Sequence, residues 1–459
     1  MATVGFVLGV LLFAVGIGAS IGLHEIGHLV PAKRFGVRVP QYMIGFGKTL
    51  WSTRRGDTEY GVKAVPLGGY IRMIGMYPPP AGTGPDGAGP AAEPTGRFGQ
   101  LAEEARKASQ EELQPGDDNR VFYKLSVPKK LTIMLGGPVM NLVLATVMLA
   151  LLVTVHGLPT IGKGALVSEV SACVLPTTAA DTTTCPAGAT PAPAAAAGLK
   201  AGDRLVSIAG RPVVSTEDVG TLIRPRAGQA TPVVILRDGH ELTLTVTPVR
   251  NVIGLVDAAG KPVLAADGKQ KTTQAGFLGI MSGPVVGYAT QPLTVVPGLI
   301  GSTLGAMASA IIHLPQGLGN VWTSTFDGQK RDPNGIQSVV GVGRVAGDVA
   351  SGRVGNIMGM PVNSASDRGW FLVQILAMLN LMLFVFNMVP LMPFDGGQMA
   401  GALWEGVKRG WYRLQGRTGP AYVDVAKALP ITYAVSVLLI AMTLLLVYAD
   451  LVNPIKLGG

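Results

Sequence analysis

Four segments of this chain are long, apolar and free of Asp, Glu, Lys and Arg: residues 4–23, 131–155, 370–394 and 429–449. A helix of about 20 apolar residues is long enough to cross the hydrocarbon core of a bilayer. Charged residues make up 14% of the chain, against about 25% in typical soluble domains, and the mean hydropathy is +0.40. The pattern predicts a multi-pass α-helical membrane protein with four transmembrane helices.

The basic residues indicate the orientation of these helices. They cluster after the first and before the second apolar segment, and again between the third and fourth, at Lys33, Arg34, Arg38, Lys124, Lys129, Lys130, Lys408, Arg409, Arg413 and Arg417. Basic connections stay on the cytoplasmic side, so the N-terminus, residues 157–369 and the C-terminus are expected outside the cytoplasm. This distribution accounts for the net charge of +9 without nucleic acid, for which no basic and aromatic run is present.

The first apolar segment ends in the sequence His24-Glu25-Ile26-Gly27-His28. On a helix, residues four apart share a face, so His24 and His28 can bind one metal ion while Glu25 acts as a general base. Ionisable groups at membrane depth are costly and therefore indicate function. A buried histidine pair without a metal is the alternative that this motif alone leaves open.

A third metal ligand is available at the end of the third apolar segment. Asp395 follows Pro390 and Pro393, which break a helix, and it is expected at the same depth as the two histidines because both segments run in the same direction. Two histidines and one carboxylate leave a fourth tetrahedral position for water, which is typical of catalytic zinc.

The stretch after the first segment predicts a β-element. Residues 58–65 and 70–74 have the composition of strands around a turn at 66–69. A sheet edge near the histidines could pair with an extended peptide, although a plain cytosolic hairpin is equally compatible with the pattern. The Pro/Gly/Ala-rich composition of residues 78–96 predicts a flexible insert, and the charged residues 98–113 predict a solvated helix.

Residues 157–250 alternate short β-branched runs with turns, which predicts an α+β domain. The sequence Gly198-Leu199-Lys200-Ala201-Gly202-Asp203 within them resembles the G-L-x-x-G-D pattern of bacterial PDZ domains. The resemblance implies a peptide-binding groove, and a steric filter or spacer stays open. Residues 295–314 are apolar, but a fifth span there would reverse the sidedness of all that follows, so we expect an interfacial or partly buried helix.

The two cysteines, Cys173 and Cys185, lie in an Ala/Thr/Pro-rich insertion of this domain. Because the domain is expected outside the cytoplasm, where disulfides persist, we expect them to be bonded. A loop of this size would gain about 3 kcal/mol in the chain-entropy model. Zinc binding by this pair is unfavoured because no further ligand stands nearby.

These predictions divide the chain into seven regions. They are transmembrane helix 1 with the histidine motif (1–32), a cytoplasmic or membrane-reentrant β-region with a flexible insert (33–130), transmembrane helix 2 (131–156), a PDZ-like domain (157–250), an extracytoplasmic linker with an amphipathic helix (251–369), transmembrane helix 3 with a cytoplasmic basic loop (370–428) and transmembrane helix 4 (429–459).

Together these motifs resemble the site-2 protease family (M50 type) of intramembrane zinc metalloproteases. The resemblance rests on the HEIGH motif, Asn387-x-x-Pro390, Asp395-Gly396-Gly397 and the PDZ-like domain between them. Residues 44–48 and 66–70 are similar to the membrane-reentrant β-element of the RseP type, and residues 137–141 to the G-P-x-x-N of its second span. A single PDZ domain is more like the actinobacterial regulated intramembrane proteases than the two-PDZ enterobacterial form. Gln398 departs from the RseP-like pattern, which often has His there.

The resemblance implies a bacterial plasma-membrane protease with its active site near the cytoplasmic side. It assigns Zn²⁺ to His24, His28 and Asp395, proton transfer to Glu25, and substrate binding to Asn387, Pro390, Gly68 and Gly69. The implied partners are the lipid bilayer and single-span membrane proteins such as anti-sigma factors. The alternative from another class is a catalytically inactive membrane PDZ scaffold or chaperone.

Overall fold

The computed structural model describes residues 2–79, 97–174, 185, 188–237, 239–255, 263–265, 268, 270–329, 331–332, 335–357, 360–416 and 422–455. Most of the insert expected at 78–96 lies outside these residues, as does Arg417. The chain divides into two compact units. One comprises Met1–Leu158 with Thr290–Gly459, and the other is Pro159–Ala289.

Eleven α-helices are described, two of them in the smaller unit. In chain order they are α1 (Ala2–Arg34), α2 (Arg97–Glu111), α3 (Val127–Leu151, continued by a π-helical turn to His156), α4 (Pro193–Ala196), α5 (Thr216–Ile223), α6 (Val296–Ile312), α7 (Leu314–Phe326), α8 (Val339–Ala350), α9 (Ala365–Asn387), α10 (Asp395–Leu414) and α11 (Leu429–Val452).

Five of the described helical segments are long and apolar enough to cross a membrane: Ala2–Arg34, Val127–His156, Leu293–Ile312, Ala365–Asn387 and Val425–Val452. Four of them coincide with the apolar segments of the sequence. The fifth, Leu293–Ile312, contains α6, where the sequence predicted an interfacial helix. Length and composition alone therefore admit one span more than the predicted four, and the count of four stays a prediction.

The contacts of α6 bear on this difference. At its start, the backbone N–H of Gln291 donates to Val153 O at the C-terminal end of α3. The next helix, α7, packs Val321 against Leu446 and Ala449 at the C-terminal end of α11. Helix α8 bridges these regions, because its N-cap residue Ser338 bonds Asp450 of α11 while its other end lies against the first turns of α1. The start of α6 and the two helices that follow it, α7 and α8, thus lie near the same end of the bundle.

Helices α1 and α3 cross with their backbones in contact. A Cβ atom added to Gly136 would lie 1.9 Å from Gly27 O, and one added to Gly27 would lie 2.2 Å from Gly136 O. The helices run antiparallel, since His24 approaches Asn141 while His28 approaches Ile133. The close packing of these small residues brings α3 directly against the histidine motif.

The β-element consists of two long strands, β1 (Gln41–Arg55) and β2 (Thr58–Arg72). The turn expected at 66–69 is wrong, because β2 continues through these residues. Residues 41–44 of β1 pair with 59–62 on one side and with 69–72 on the other, so the two strands curl into a small sheet. Residues 69–72 form one edge of this sheet. The strand passes the expected turn because its two halves pair with opposite sides of β1.

The smaller unit is built around eight described strands. They are β3 (Leu158–Val170), β4 (Arg204–Ile208), β5 (Arg211–Pro212), β6 (Thr231–Arg237), β7 (His240–Val246), β8 (Val249–Gly254), β9 (Thr272–Phe277) and β10 (Ile280–Ala289). The main sheet has the order β10-β3-β4-β6-β7, and β8 pairs with β9. The domain end expected at residue 250 stays a prediction, while the compact unit of the structure runs to Ala289 and β10 joins its main sheet. The Sγ atoms of Cys173 and Cys185 are bonded in this unit.

Candidate metal centre

Three side chains that the sequence singled out converge between α1 and α10. The Nε2 atoms of His24 and His28 are 3.2 Å apart, and Oδ2 of Asp395 lies 3.4 Å and 3.3 Å from them. Ligands about 2.0–2.1 Å from a tetrahedral ion lie roughly 3.3 Å from one another. Within the described part of the chain this is the only trio of His, Cys, Asp or Glu close enough to share an ion.

Asp395 was expected at the end of the third apolar segment, but it does not belong to the helix that this segment forms. Helix α9 ends at Asn387, residues 388–394 are non-helical, and Asp395 is the first residue of α10. The link folds back on α10, so a Cβ atom added to Gly396 would lie 2.2 Å from Val389 O, and one added to Gly397 2.6 Å from Met392 N. The two glycines after Asp395 are required by this close approach.

The surroundings of the trio fit a cation. Oδ2 of Asp395 is buried and has no hydrogen-bond partner among the described residues, which is costly for a carboxylate unless a cation sits beside it. A Cβ atom added to Gly137 would lie 2.2 Å from Nε2 of His28 and 2.6 Å from Nε2 of His24. Gly137 therefore keeps open the space in front of both nitrogens. Imidazole and carboxylate donors in this number suit zinc.

Each histidine is oriented through its other ring nitrogen. Nδ1–H of His28 donates to Ile133 O at 2.7 Å, which leaves the lone pair on Nε2. Nδ1 of His24 lies 3.1 Å from the side-chain amide of Asn141, a fully buried residue whose Oδ1 has no other described partner. If Asn141 turns its Oδ1 toward His24, the oxygen accepts the Nδ1 proton and Nε2 is free for a metal.

Asn141 is the residue whose role the sequence analysis missed. The sequence marks Asn141 only through the G-P-x-x-N resemblance, although an amide in an otherwise apolar helix must find a polar partner. The signal was therefore present. Its partner could not be named without the antiparallel register that sets Asn141 opposite His24.

Glu25 lies next to the edge of the small sheet. Its side chain is buried, and the backbone amide of Ile71 faces its carboxylate. A Cβ atom added to Gly69 would lie 3.1 Å from Cγ of Glu25, so only glycine lets the strand approach α1 this closely. Gly68 has a positive φ of 107° and packs on the ring of Phe46. The structure thus brings Gly69 to the candidate site and Gly68 beside it.

Two further candidate residues lie in or beside the link before Asp395. Asn387 is the half-buried last residue of α9, and within the described residues its side chain makes no hydrogen bond. Pro390 is exposed. An unengaged amide and an exposed proline near the metal ligand are compatible with the substrate-binding role expected of them, which stays a prediction.

The smaller unit contains a separate cavity of about 420 Å³. One wall is α5, through Val219 and Ile223, and the opposite wall is formed by the β8–β9 hairpin and the Leu278–Ile280 segment that leads into β10. Since β10 is the last strand of its sheet, a backbone edge borders this cavity. Such an arrangement can hold an extended peptide end.

Comparison with known proteins agrees with this geometry. Residues 12–430 match the model of the family described as Peptidase family M50. The chain is 33% identical to "Zinc metalloprotease Rip1" of Mycobacterium tuberculosis, over 98% of this chain and 99% of the relative, and 31% identical to the Mycolicibacterium smegmatis protein of the same name over the same shares. It is 24% identical to "Metalloprotease MmpA" of Caulobacter vibrioides over 88% of each chain. These matches confirm the resemblance drawn from the motifs: the chain belongs to peptidase family M50.

Proposed function

We propose that this zinc metalloprotease cuts peptide bonds within the membrane-spanning segments of single-span proteins, in regulated intramembrane proteolysis. The observation that carries the proposal is the trio His24, His28 and Asp395 beside Glu25, on and between helices apolar enough to span a bilayer. A buried carboxylate oxygen without a partner is hard to explain for a protein that does not bind a cation there.

The zinc would be held by the two Nε2 atoms and by Oδ2 of Asp395. When bound, zinc supplies a Lewis acid that lowers the pKa of water and polarises a carbonyl group. The carbonyl of Ile133 and the amide of Asn141 keep the histidine protons on Nδ1. Gly137 keeps the approach to the nitrogens open.

Glu25 carries the proton through the reaction. Its carboxylate accepts a proton from the attacking water as the water oxygen bonds to the carbon of the scissile carbonyl. As the carbon–nitrogen bond then breaks, Glu25 returns that proton to the leaving amine nitrogen. The burial of Glu25 next to the trio supports this role, because a base must lie within hydrogen-bond reach of the group it deprotonates.

The substrate would have to leave its helical form, because a helical peptide bond is shielded by its own turns. Residues 69–72 offer a strand edge beside Glu25, where an extended segment could pair with the backbone. We assign Gly68 and Gly69 to this edge, and Asn387 and Pro390 to the opposite side of the bound segment, as the family resemblance implies.

The proposed location is the bacterial plasma membrane, with the zinc site near the cytoplasmic face and the smaller unit outside. Four spans are proposed, with α6 interfacial, because the start of α6 and the helices α7 and α8 that follow it lie near the same end of the bundle. The cavity beside α5 would receive a peptide end of a substrate already trimmed outside, and so act as a filter. Anti-sigma factors are the substrate class that the resemblance suggests.

The test is co-expression of a single-span reporter substrate with Glu25→Gln. We expect cleavage to fall about 10²–10⁴-fold, the usual contribution of a general base, while bound zinc stays near one per chain. Glu217→Gln, a change of the same kind in the smaller unit, should cleave normally. His24→Ala should lose zinc. Cleavage by Glu25→Gln at the control rate would refute the mechanism, and the absence of zinc from the unmodified chain would favour the inactive scaffold.

A further inference from the structure

Helix α10 has an exposed apolar face. Five of its large apolar side chains are each more than half exposed: Leu403, Trp404, Val407, Trp411 and Leu414. Their positions, i, i+1, i+4, i+8 and i+11, fall on one side of a helix. Two tryptophans exposed on a single face are unusual for a surface in contact with water only.

The opposite face of α10 is fixed to the rest of its unit. Buried Glu405 accepts hydrogen bonds from Lys130 of α3 at 2.9 Å and 2.8 Å, and it pairs with Arg409 at 2.5 Å. A Cβ atom added to Gly401 would lie 3.1 Å from the side chain of Val425, where the last candidate span begins. The middle of α10 therefore lies level with the first turns of two candidate spans.

The chemistry of α10 matches the boundary between lipid headgroups and acyl chains. Glu405, Lys408, Arg409 and Arg413 give it too many charges for a span, and it is absent from the described candidates. Tryptophan is enriched at membrane interfaces, and basic side chains are attracted to anionic headgroups. We propose that α10 lies in this boundary, with its apolar face in lipid and Lys408 and Arg413 beside the headgroups.

This placement would make the metal centre sensitive to the membrane surface. Asp395 is the first residue of α10, and its Oδ2 must stay 3.3–3.4 Å from two nitrogens on a different helix. The contact with Lys130 fixes α10 at one point, and the lipid contact would fix its direction. The membrane thus becomes one of the elements that position a zinc ligand.

The length of the apolar face predicts the direction of the helix. From residue 403 to 414 the face is about 16 Å long. The interfacial layer on each side of the hydrocarbon core is only about 5–8 Å thick. The axis must therefore lie near the membrane plane, and Trp404 and Trp411 should reach the same depth.

Depth-dependent fluorescence quenching tests this inference. The Glu25→Gln chain, whose inactivity makes the result independent of proteolysis, is reduced to one tryptophan by changing the other four of its five to Phe. Variants that keep only Trp404 or only Trp411 are placed in bilayers of phosphatidylcholine and phosphatidylglycerol with bromine at stated chain depths. We expect both to be quenched best by the shallowest bromine, to the same extent within about twofold.

The control is Glu217→Trp in the chain that lacks all five native tryptophans. It puts the indole at an exposed position of the smaller unit, which contains no described candidate span, so aqueous iodide should quench it and bromolipid should not. Iodide quenching of Trp404 and Trp411 without bromolipid quenching would overturn the proposal. So would quenching of Trp404 alone, which requires an inclined helix, or protection from both quenchers together with W404C cross-links between copies, which indicates a second chain on this face.

Discussion

Two aspartates in the membrane-spanning unit, Asp395 and Asp450, occupy similar settings with opposite outcomes. Asp450, near the end of α11, is buried and fully engaged: Oδ2 accepts from the backbone N–H and the hydroxyl of Ser338 at 2.6 Å, and Oδ1 pairs with Arg331 at 2.5 Å. Oδ2 of Asp395 is buried and has no hydrogen-bond partner among the described residues. It lies 3.4 Å and 3.3 Å from the Nε2 atoms of His24 and His28.

The difference separates a structural ion pair from a functional site. Both carboxylate oxygens of Asp450 have partners within the protein, so removal of this carboxylate should lower stability without directly affecting function. The Asp395 oxygen is left for something outside the chain, so its removal should cost function while leaving the fold unharmed. Buried polar groups are normally satisfied within the protein, and an exception of this kind indicates a ligand.

The largest expected effect comes from exchanging the two carboxylates for amides. Asp395→Asn should abolish zinc binding and cleavage without destabilising the metal-free chain, because it removes a buried carboxylate oxygen that has no hydrogen-bond partner among the described residues. Asp450→Asn leaves Arg331 without its counter-charge and should lower the free energy of unfolding by about 3–5 kcal/mol. Metal analysis and unfolding in detergent measure both properties in both variants. Equal destabilisation of the two variants would end the distinction.

A matched pair of glycines gives the second test. Gly137→Ala should prevent zinc binding, since its Cβ atom would lie 2.2 Å from Nε2 of His28. Gly341→Ala, whose Cβ atom would lie 2.3 Å from Oδ2 of Asp450, should lower the unfolding temperature instead. Zinc content and thermal unfolding are the readouts. A Gly137→Ala chain that binds zinc like the unmodified one would show that the space beside the nitrogens is not the metal position.

The third expected effect concerns Asn141 as the orienting partner of His24. Asn141→Leu should weaken zinc binding about 10–100-fold, the usual effect of losing such a partner, while Asn141→Asp, which can still accept the Nδ1 proton, should lose much less. Asn380→Leu is the control, because Asn380 is equally buried but contacts Ser20 rather than a histidine. Competition with a zinc chelator gives the affinities. Equal losses in the Leu and Asp variants would reduce Asn141 to a packing residue.

Local patterns in the sequence were sufficient for the trio and for Glu25. His24 and His28 share a face by helical spacing, and Asp395 follows an apolar segment of the same direction, so depth alone brings them together. The family resemblance then fixed the metal. The inferences about the trio and Glu25, unlike the identity of the metal, depend only on periodicity, charge and segment direction, which are properties of the chain itself.

Features that depend on the register between two strands or two helices could not be predicted from local sequence patterns. The β2 strand passes through Pro66–Gly69 because β1 pairs on both of its sides, and no local pattern carries that pairing. The contact between Asn141 and His24 depends on the antiparallel register of α1 and α3, which the close approach of Gly27 and Gly136 sets. The helix break that makes Asp395 the first residue of α10 was signalled by Pro390 and Pro393, but its position was not.

The smallest expected effect extends the comparison to a satisfied carboxylate outside the membrane. Burial opposes the charged form of Asp203, but hydrogen bonds from Arg237 and from the backbone N–H of Lys200 outweigh it and lower the pKa of Asp203. The stabilisation is therefore complete above the unfolded-state pKa of about 3.9 and is lost as the pH falls through the folded-state value. Amide-exchange protection of β4 and β6, corrected for intrinsic rates, should fall between pH 5 and pH 3. In Asp203→Asn it should be lower and independent of pH. Unchanged protection at pH 3 in the unmodified chain would mean that the Asp203 carboxylate, unlike that of Asp450, adds nothing to the stability of its unit.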